Sequence, residues 1–168
     1  MVDANYSMTV KQAKETANAF EEFNLLQFEE PIEPDNFLGY SEINNNLKVL
    51  LAMGENLHSL KEFDYAFKYS VLTCIQADAS NCGGITNLLK VTNKAKAMNS
   101  NVSSNGVQEL HVSLVSSSTD FCWIAMNSFT SENYTLSSVY LEDGLAIAQE
   151  NYGIEVIFNW NKLRKNSK

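Results

Sequence analysis

The sequence predicts an α/β chain built as part of a (β/α)8, or TIM, barrel. About six βα units occupy residues 1–128, and a C-terminal return segment and tail occupy 129–168. Three observations carry this expectation. Short apolar or β-branched runs of strand length alternate with patterns of helical period. The alternation recurs at a near-constant pitch, which requires parallel strands joined by crossover helices. Finally, an acid closes each of the first four predicted strands: Asp3, Glu29, Glu55 and Asp78, separated by 26, 26 and 23 residues.

The strands are read in order as VDAN (2–5), LLQFEE (25–30), KVLLAMGE (48–55), TCIQAD (73–78), NVSSN (101–105) and FCWIAM (121–126). Between the first two, Val10, Ala13, Ala17 and Phe20 share one helical face, and Thr9 with Gln12 forms a capping box at its start. Asp35, after Pro34, is the expected N-cap of a helix through Phe37, Tyr40 and Ile43. Ser59 with Glu62 caps the helix bearing Leu60, Phe63 and Phe67, and Leu88, Val91, Ala95 and Met98 mark the next. The stretch around LEDGLAIAQENYGIEV lacks the alternation and reads as a return segment with a short extended run.

A doubly wound sheet fits the alternation as well as a barrel does, and the acids decide between them. In a parallel barrel all C-terminal strand ends converge on one mouth, where active sites lie. One acid at a loop start is ordinarily a cap or a solvated charge. Several at module spacing point to a shared site, whose mutual repulsion a dication relieves. Oxygen donors without His or Cys select a hard cation, Mg2+ above all.

Composition excludes other classes. A net charge of −8 and a pI near 4.7 disfavour nucleic acid and anionic membranes as partners. The basic cluster Lys162-Leu163-Arg164-Lys165 with Lys168 reads as a solvated tail. No apolar stretch approaches the ~20 residues of a membrane helix. The start MVDANYSMTVKQ has no secretory pattern, and Cys74, Cys82 and Cys122 lack CxxC spacing, so a cytoplasmic protein with reduced, mostly buried thiols is expected.

The motifs DAN (3–5), FEEP (28–31), MGEN (53–56), ADASNCGG (77–84) and NGVQELHVSL (105–114) occur in the order and spacing of the enolase superfamily. The chain resembles its mandelate racemase subgroup, and within that the acid-sugar dehydratases of the galactarate or talarate kind. The likeness covers residues 1–115 well and the remainder weakly. It implies Mg2+ held by Asp3, Glu29 and Glu55, abstraction of the proton next to a substrate carboxylate, and a metal-stabilised enediolate. The six units would be barrel strands three to eight. Asn5 would contact a substrate oxygen or satisfy its own turn, and Glu30 would support the metal shell.

The same resemblance exposes departures. The family pairs the acid at Asp78 with a histidine base at position 105, where this chain has Asn105. A glutamate expected on the last strand is replaced by Ala125, and the family's lysine motif, two βα units and capping domain would precede residue 1. Asn105 is expected to hydrogen-bond Asp78 and cap the following helix. His111 is read as a helix residue and His58 as a loop or cap residue. Two functions remain open: an Mg2+-dependent dehydratase or racemase acting on an acid-sugar carboxylate, impaired in this chain, or a non-catalytic member that keeps the fold and the metal site. An eight-unit barrel needs ~250 residues, so six strands leave open edges, and a homo-oligomer or a complementing barrel segment is the expected partner.

Overall fold

The computed structural model describes residues 1–44, 48–70, 72–126, 134–136, 139–148, 150, 152–154 and 156–166. Six parallel strands form one sheet in the order β1 (Val2–Asp3), β2 (Gln27–Glu29), β3 (Leu50–Met53), β4 (Cys74–Ala77), β5 (Asn101–Ser104) and β6 (Phe121–Ile124). Helices α1 (Val10–Phe20), α2 (Phe37–Asn44), α3 (Leu60–Tyr69), α4 (Ile85–Ala97) and α5 (Gln108–Ser116) make the crossovers. Each strand pairs only with its neighbours in sequence, and each of α1 to α3 packs on the next helix. A doubly wound sheet reverses its strand order at a switch point. This sheet never reverses, so it curls in one sense into a partial barrel.

The capping boxes stand as the sequence implies. Thr9 accepts from the Gln12 N–H, and Ser59 from the Glu62 N–H, with both reciprocal bonds present. Helix α2 differs by one residue. Asn36, not Asp35, supplies the cap, its Oδ1 accepting the Gly39 N–H at 3.1 Å while its carbonyl takes the Tyr40 N–H. Asn36 alone stands at the last non-helical position, so only its side chain reaches the third helical amide. Met98 lies past the end of α4 and is exposed, unlike Leu88, Val91 and Ala95.

Side chains alternate across the strands. Phe28 meets Phe20 of α1 edge-to-face at 5.3 Å, so β2 turns Phe28 toward the helices and Gln27 and Glu29 inward. Leu51, Met53, Ile75, Ala77 and Val102 join Phe63, Phe67, Leu88, Val91 and Ala95 in the apolar layer between sheet and helices. The inner face is polar. There Gln27 on β2 reaches the Cys74 sulfur on β4 at 2.9 Å, although β3 lies between the two strands. A contact that skips a strand requires a concave surface, and layers shared by alternate strands are the way a (β/α)8 barrel fills its interior.

Cys74 and Cys82 are buried and Cys122 is exposed on β6. Beyond β6 the return segment forms an antiparallel hairpin, β7 (Tyr140–Glu142) with β8 (Leu145–Ile147), where a single extended run was expected. Asp143 and Gly144 turn it with φ of 49° and 79°, the Asp-Gly signature of a two-residue hairpin loop. The basic cluster lies on a short helix, α6 (Trp160–Asn166), and Lys168 falls outside the described residues, as do residues on both sides of the expected 128/129 boundary. Among the described residues no helix is long and apolar enough to cross a membrane.

Replacing Asn36 with Ala should cost about 1 kcal/mol of unfolding free energy, and replacing Asp35 less than about 0.5 kcal/mol; urea denaturation of the two variants checks the placement of the cap.

Candidate metal centre

The parallel register lines up the acids. Asp3 pairs directly with Glu29, the last residue of β2. Glu55 follows β3 after Gly54, whose φ of 137° and close approach to the Gln76 backbone leave no room for a side chain. Asp78 follows β4 immediately. All four therefore sit at the same end of the sheet, as the spacing implied.

Amides hold these carboxylates. Glu55 accepts from the Asn105 Nδ2 through one oxygen and from the Asn56 Nδ2 through the other, the latter at 3.3 Å. Asn56 also donates to Glu30 at 2.6 Å, and Glu30, completely buried, takes the Gly54 N–H at 3.3 Å. Glu30 thus braces the turn that presents Glu55. Gln76 hydrogen-bonds Glu29 from two strands away. Asp3 is exposed and takes the Asn5 N–H at 2.8 Å, so Asn5 closes its own turn through its backbone.

The electrostatics follow from this crowding. Burial, then the charges of Asp3, Glu55 and Glu30, push the Glu29 carboxyl up to about 7 against the opposing bond from Gln76. Burial and Asp3 raise Glu55, while Asn105 and Asn56 oppose the rise. Burial also raises Glu30, which Asn56 and the Gly54 amide counter. Among the described residues no Lys or Arg forms an ion pair with any of these acids. Nor do any three Asp, Glu, His or Cys side chains among them converge into a finished ligand set. Glu29 and Glu55 are instead held by separate amide side chains, Gln76 on the first and Asn56 with Asn105 on the second. Their donor set, oxygen-only and short of positive charge, fits a hard dication in its chemistry.

Position 105 departs from expectation. Asn105 turns to Glu55 rather than to Asp78, and the residue capping α5 is Val107, which gives no side-chain bond. Asp78 is already committed, its oxygens accepting the Ser80 N–H and the Ser80 hydroxyl, each at 2.7 Å. Its Oδ2 also fills the place of a Cβ on Gly106, only 2.0 Å from where that atom would stand. Ala125 lies just beyond β6, on a cavity of about 260 Å³ shared with Gln27, Gln76, Ser103, Ser104 and Trp123. Gln76 Oε1 and Ser104 Oγ are buried there with no partner among the described residues. His58 is exposed, as expected of a loop residue. The bridging parts of Asn56 and Gln76 have no local signature in the sequence. Asn56 was at least visible inside the MGEN motif.

Two outcomes follow from this geometry. A carboxyl held near 7 when folded and at its ordinary 4.5 when unfolded keeps its proton longer in the native state. Glu29 therefore removes stability as pH rises from 4.5 to about 7, by up to about 3 kcal/mol. In chelator, Glu29→Gln should match the wild type near pH 5 and exceed it in urea midpoint at pH 8. Gly106→Ala should cost about 1–3 kcal/mol, since φ is +85° and Asp78 blocks the new methyl; thermal unfolding measures it.

Comparison with known proteins agrees with this frame. Residues 1–159 match the enolase C-terminal domain-like family. The 3,6-anhydro-alpha-L-galactonate cycloisomerase of Streptomyces coelicolor is 34% identical over 163 residues, 97% of this chain and 45% of that protein. The L-talarate/galactarate dehydratase of Salmonella typhimurium is 29% identical over 114 residues, 68% of this chain and 29% of that protein. A racemase from Streptomyces coelicolor A3(2), solved with bound magnesium, superposes with a TM-score of 0.91 at 33% identity, over 98% of this chain and 45% of that one. The L-talarate dehydratase from Polaromonas sp. JS666, complexed with Mg and L-glucarate, has the same fold, with a TM-score of 0.92 at 24% identity over 98% of this chain and 46% of that one. The chain thus spans under half the length of these relatives. Its sheet topology, strand-end acids and sequence agree that it belongs to the enolase C-terminal domain-like family.

Proposed function

We propose that this chain carries the Mg2+- and carboxylate-binding half of an acid-sugar dehydratase or racemase site, and that it binds without effective turnover as it stands. The observation that carries this reading is the bond from Asn105 to Glu55. The position that should hold a base instead holds an amide, which accepts no proton and serves the carboxylate shell.

Asp3, Glu29 and Glu55 would hold the cation, Glu55 steadied by Asn56 and Asn105, Glu29 by Gln76, and Asn5 would face a substrate oxygen. A bound magnesium ion would act as a Lewis acid toward the substrate carboxylate. Glu30 and Gly54 fix the turn under Glu55, and burial around Glu29 excludes water from the inner edge. Asp78 lies against Gly106, next to residue 105, where it would orient an imidazole and raise its basicity. With Asn105 there and Ala125 just beyond β6, the described residues offer neither a base at the first position nor a proton donor at the second. Loss of a general base costs 10²–10⁴-fold as a rule.

A second reading has its own support. The relatives are more than twice as long as this chain, and segments beyond residues 1–168 could provide a base in a whole protein or in a complex. Such segments, or a second copy, would also cover the β1 and β6 edges, and a cytoplasmic setting suits the two buried thiols.

Calorimetric titration with Mg2+ tests the proposal. Saturable binding to the wild type that is lost in Glu29→Gln/Glu55→Gln is the expected result, and no binding to either overturns it. Asn105→His should then raise acid-sugar dehydration above the wild-type rate in the presence of Mg2+. A wild type that already turns over as fast as this variant would place the base elsewhere and favour the second reading.

A further inference from the structure

Of the two histidines, His58 is exposed and His111 is completely buried, and the buried ring is held at both nitrogens. Its Nδ1 lies 2.8 Å from the Val107 carbonyl, and its Nε2 accepts the Ala79 N–H at 2.9 Å. A backbone amide only donates, so Nε2 carries the lone pair and Nδ1 carries the proton, donated to Val107. Burial lowers the pKa of the imidazole, in keeping with a neutral ring. Asp78 Oδ1 stands 3.5 Å from the same Nε2, an acceptor facing an acceptor, so the ring grips Ala79 and not the carboxylate.

These bonds join two places that matter. Ala79 follows Asp78 at the end of β4, and Val107 follows Asn105 and Gly106 at the end of β5. We infer that His111 is a positioning residue that sets the spacing between the Asp78 carboxylate and residue 105 by tying the turn after β4 to the first turn of α5. The contact between Asp78 and Gly106 supports this independently. With Oδ2 2.0 Å from the place of a Gly106 Cβ, the two strand ends already touch, and a tie behind them removes the remaining freedom. Ala79 is 3% exposed, so its N–H without His111 would be a buried donor lacking a partner. The inference rests on reading 78 and 105 as acid and base positions, while its readouts involve neither magnesium nor turnover.

NMR of the full chain tests it. Long-range 1H–15N correlation should find the ring proton of His111 on Nδ1, and a proton on Nε2 overturns the proposal. In His111→Leu, amide exchange at Ala79 should quicken about tenfold or more relative to Leu51 and Ala52 of β3. The Asn105 side-chain amide and the Gly106 N–H should shift with it. His111→Gln, which keeps an acceptor, should restore most of both. Uniform quickening across β3 and Ala79 alike, or Asn105 and Gly106 signals that stay in place, overturns the positioning role. If His111→Leu does not fold, the tautomer and the signals of His111→Gln decide. Failure of Mg2+ to bind would refute the proposed function and leave these readouts as they are.

Discussion

The carboxylates of Asp3, Glu29 and Glu55 repel one another at a shared strand end, and much of the surrounding structure answers that repulsion. Asn105 and Asn56 bring amides to the two oxygens of Glu55, and Gln76 brings one to Glu29. These donors are neutral. They hold and orient the acids without cancelling their charge. A lysine in any of those places would pair with the acids and offset their repulsion directly.

That answer depends on curvature. Gln27 with Cys74, Glu29 with Gln76 and Glu55 with Asn105 all link strands that have another strand between them. In a flat sheet, side chains two strands apart stand nearly 10 Å from each other, and such bonds would be out of reach. The apolar layer of Phe28, Leu51, Ile75 and Val102 under the helices sets the curl. Packing on the outer face and electrostatics on the inner face are in this way one problem.

The strands and the two capping boxes were legible because each is encoded locally, by a short apolar run or a spacing of three, and the strand-end acids because they recur once per βα unit. Asn36 against Asp35 shows the limit, since both residues can cap and only the backbone decides which stands at the boundary. The partners of Asn105 and Gln76 lie 50 and 47 positions away in the chain, and no local pattern names them. His111 reads as one more helix residue until α5 is seen against the turn after β4. The Asp-Gly turn of the β7–β8 hairpin was a different matter. Its signal is the local Asp-Gly pair in LEDGLAI, which lies outside the strand–helix alternation of the six units.

The all-parallel sheet bears on how the protein is made. No pair among its six strands is a hairpin, so each new contact waits for a whole crossover to leave the ribosome. Asp3, Glu29 and Glu55 emerge first, and Asn105, the amide that steadies Glu55, emerges 50 residues after it. At 5–20 residues per second that gap lasts roughly 3–10 s. Through that interval Asn56, one position after Glu55, is the donor already made, and the second oxygen of Glu55 waits for β5 to bring Asn105.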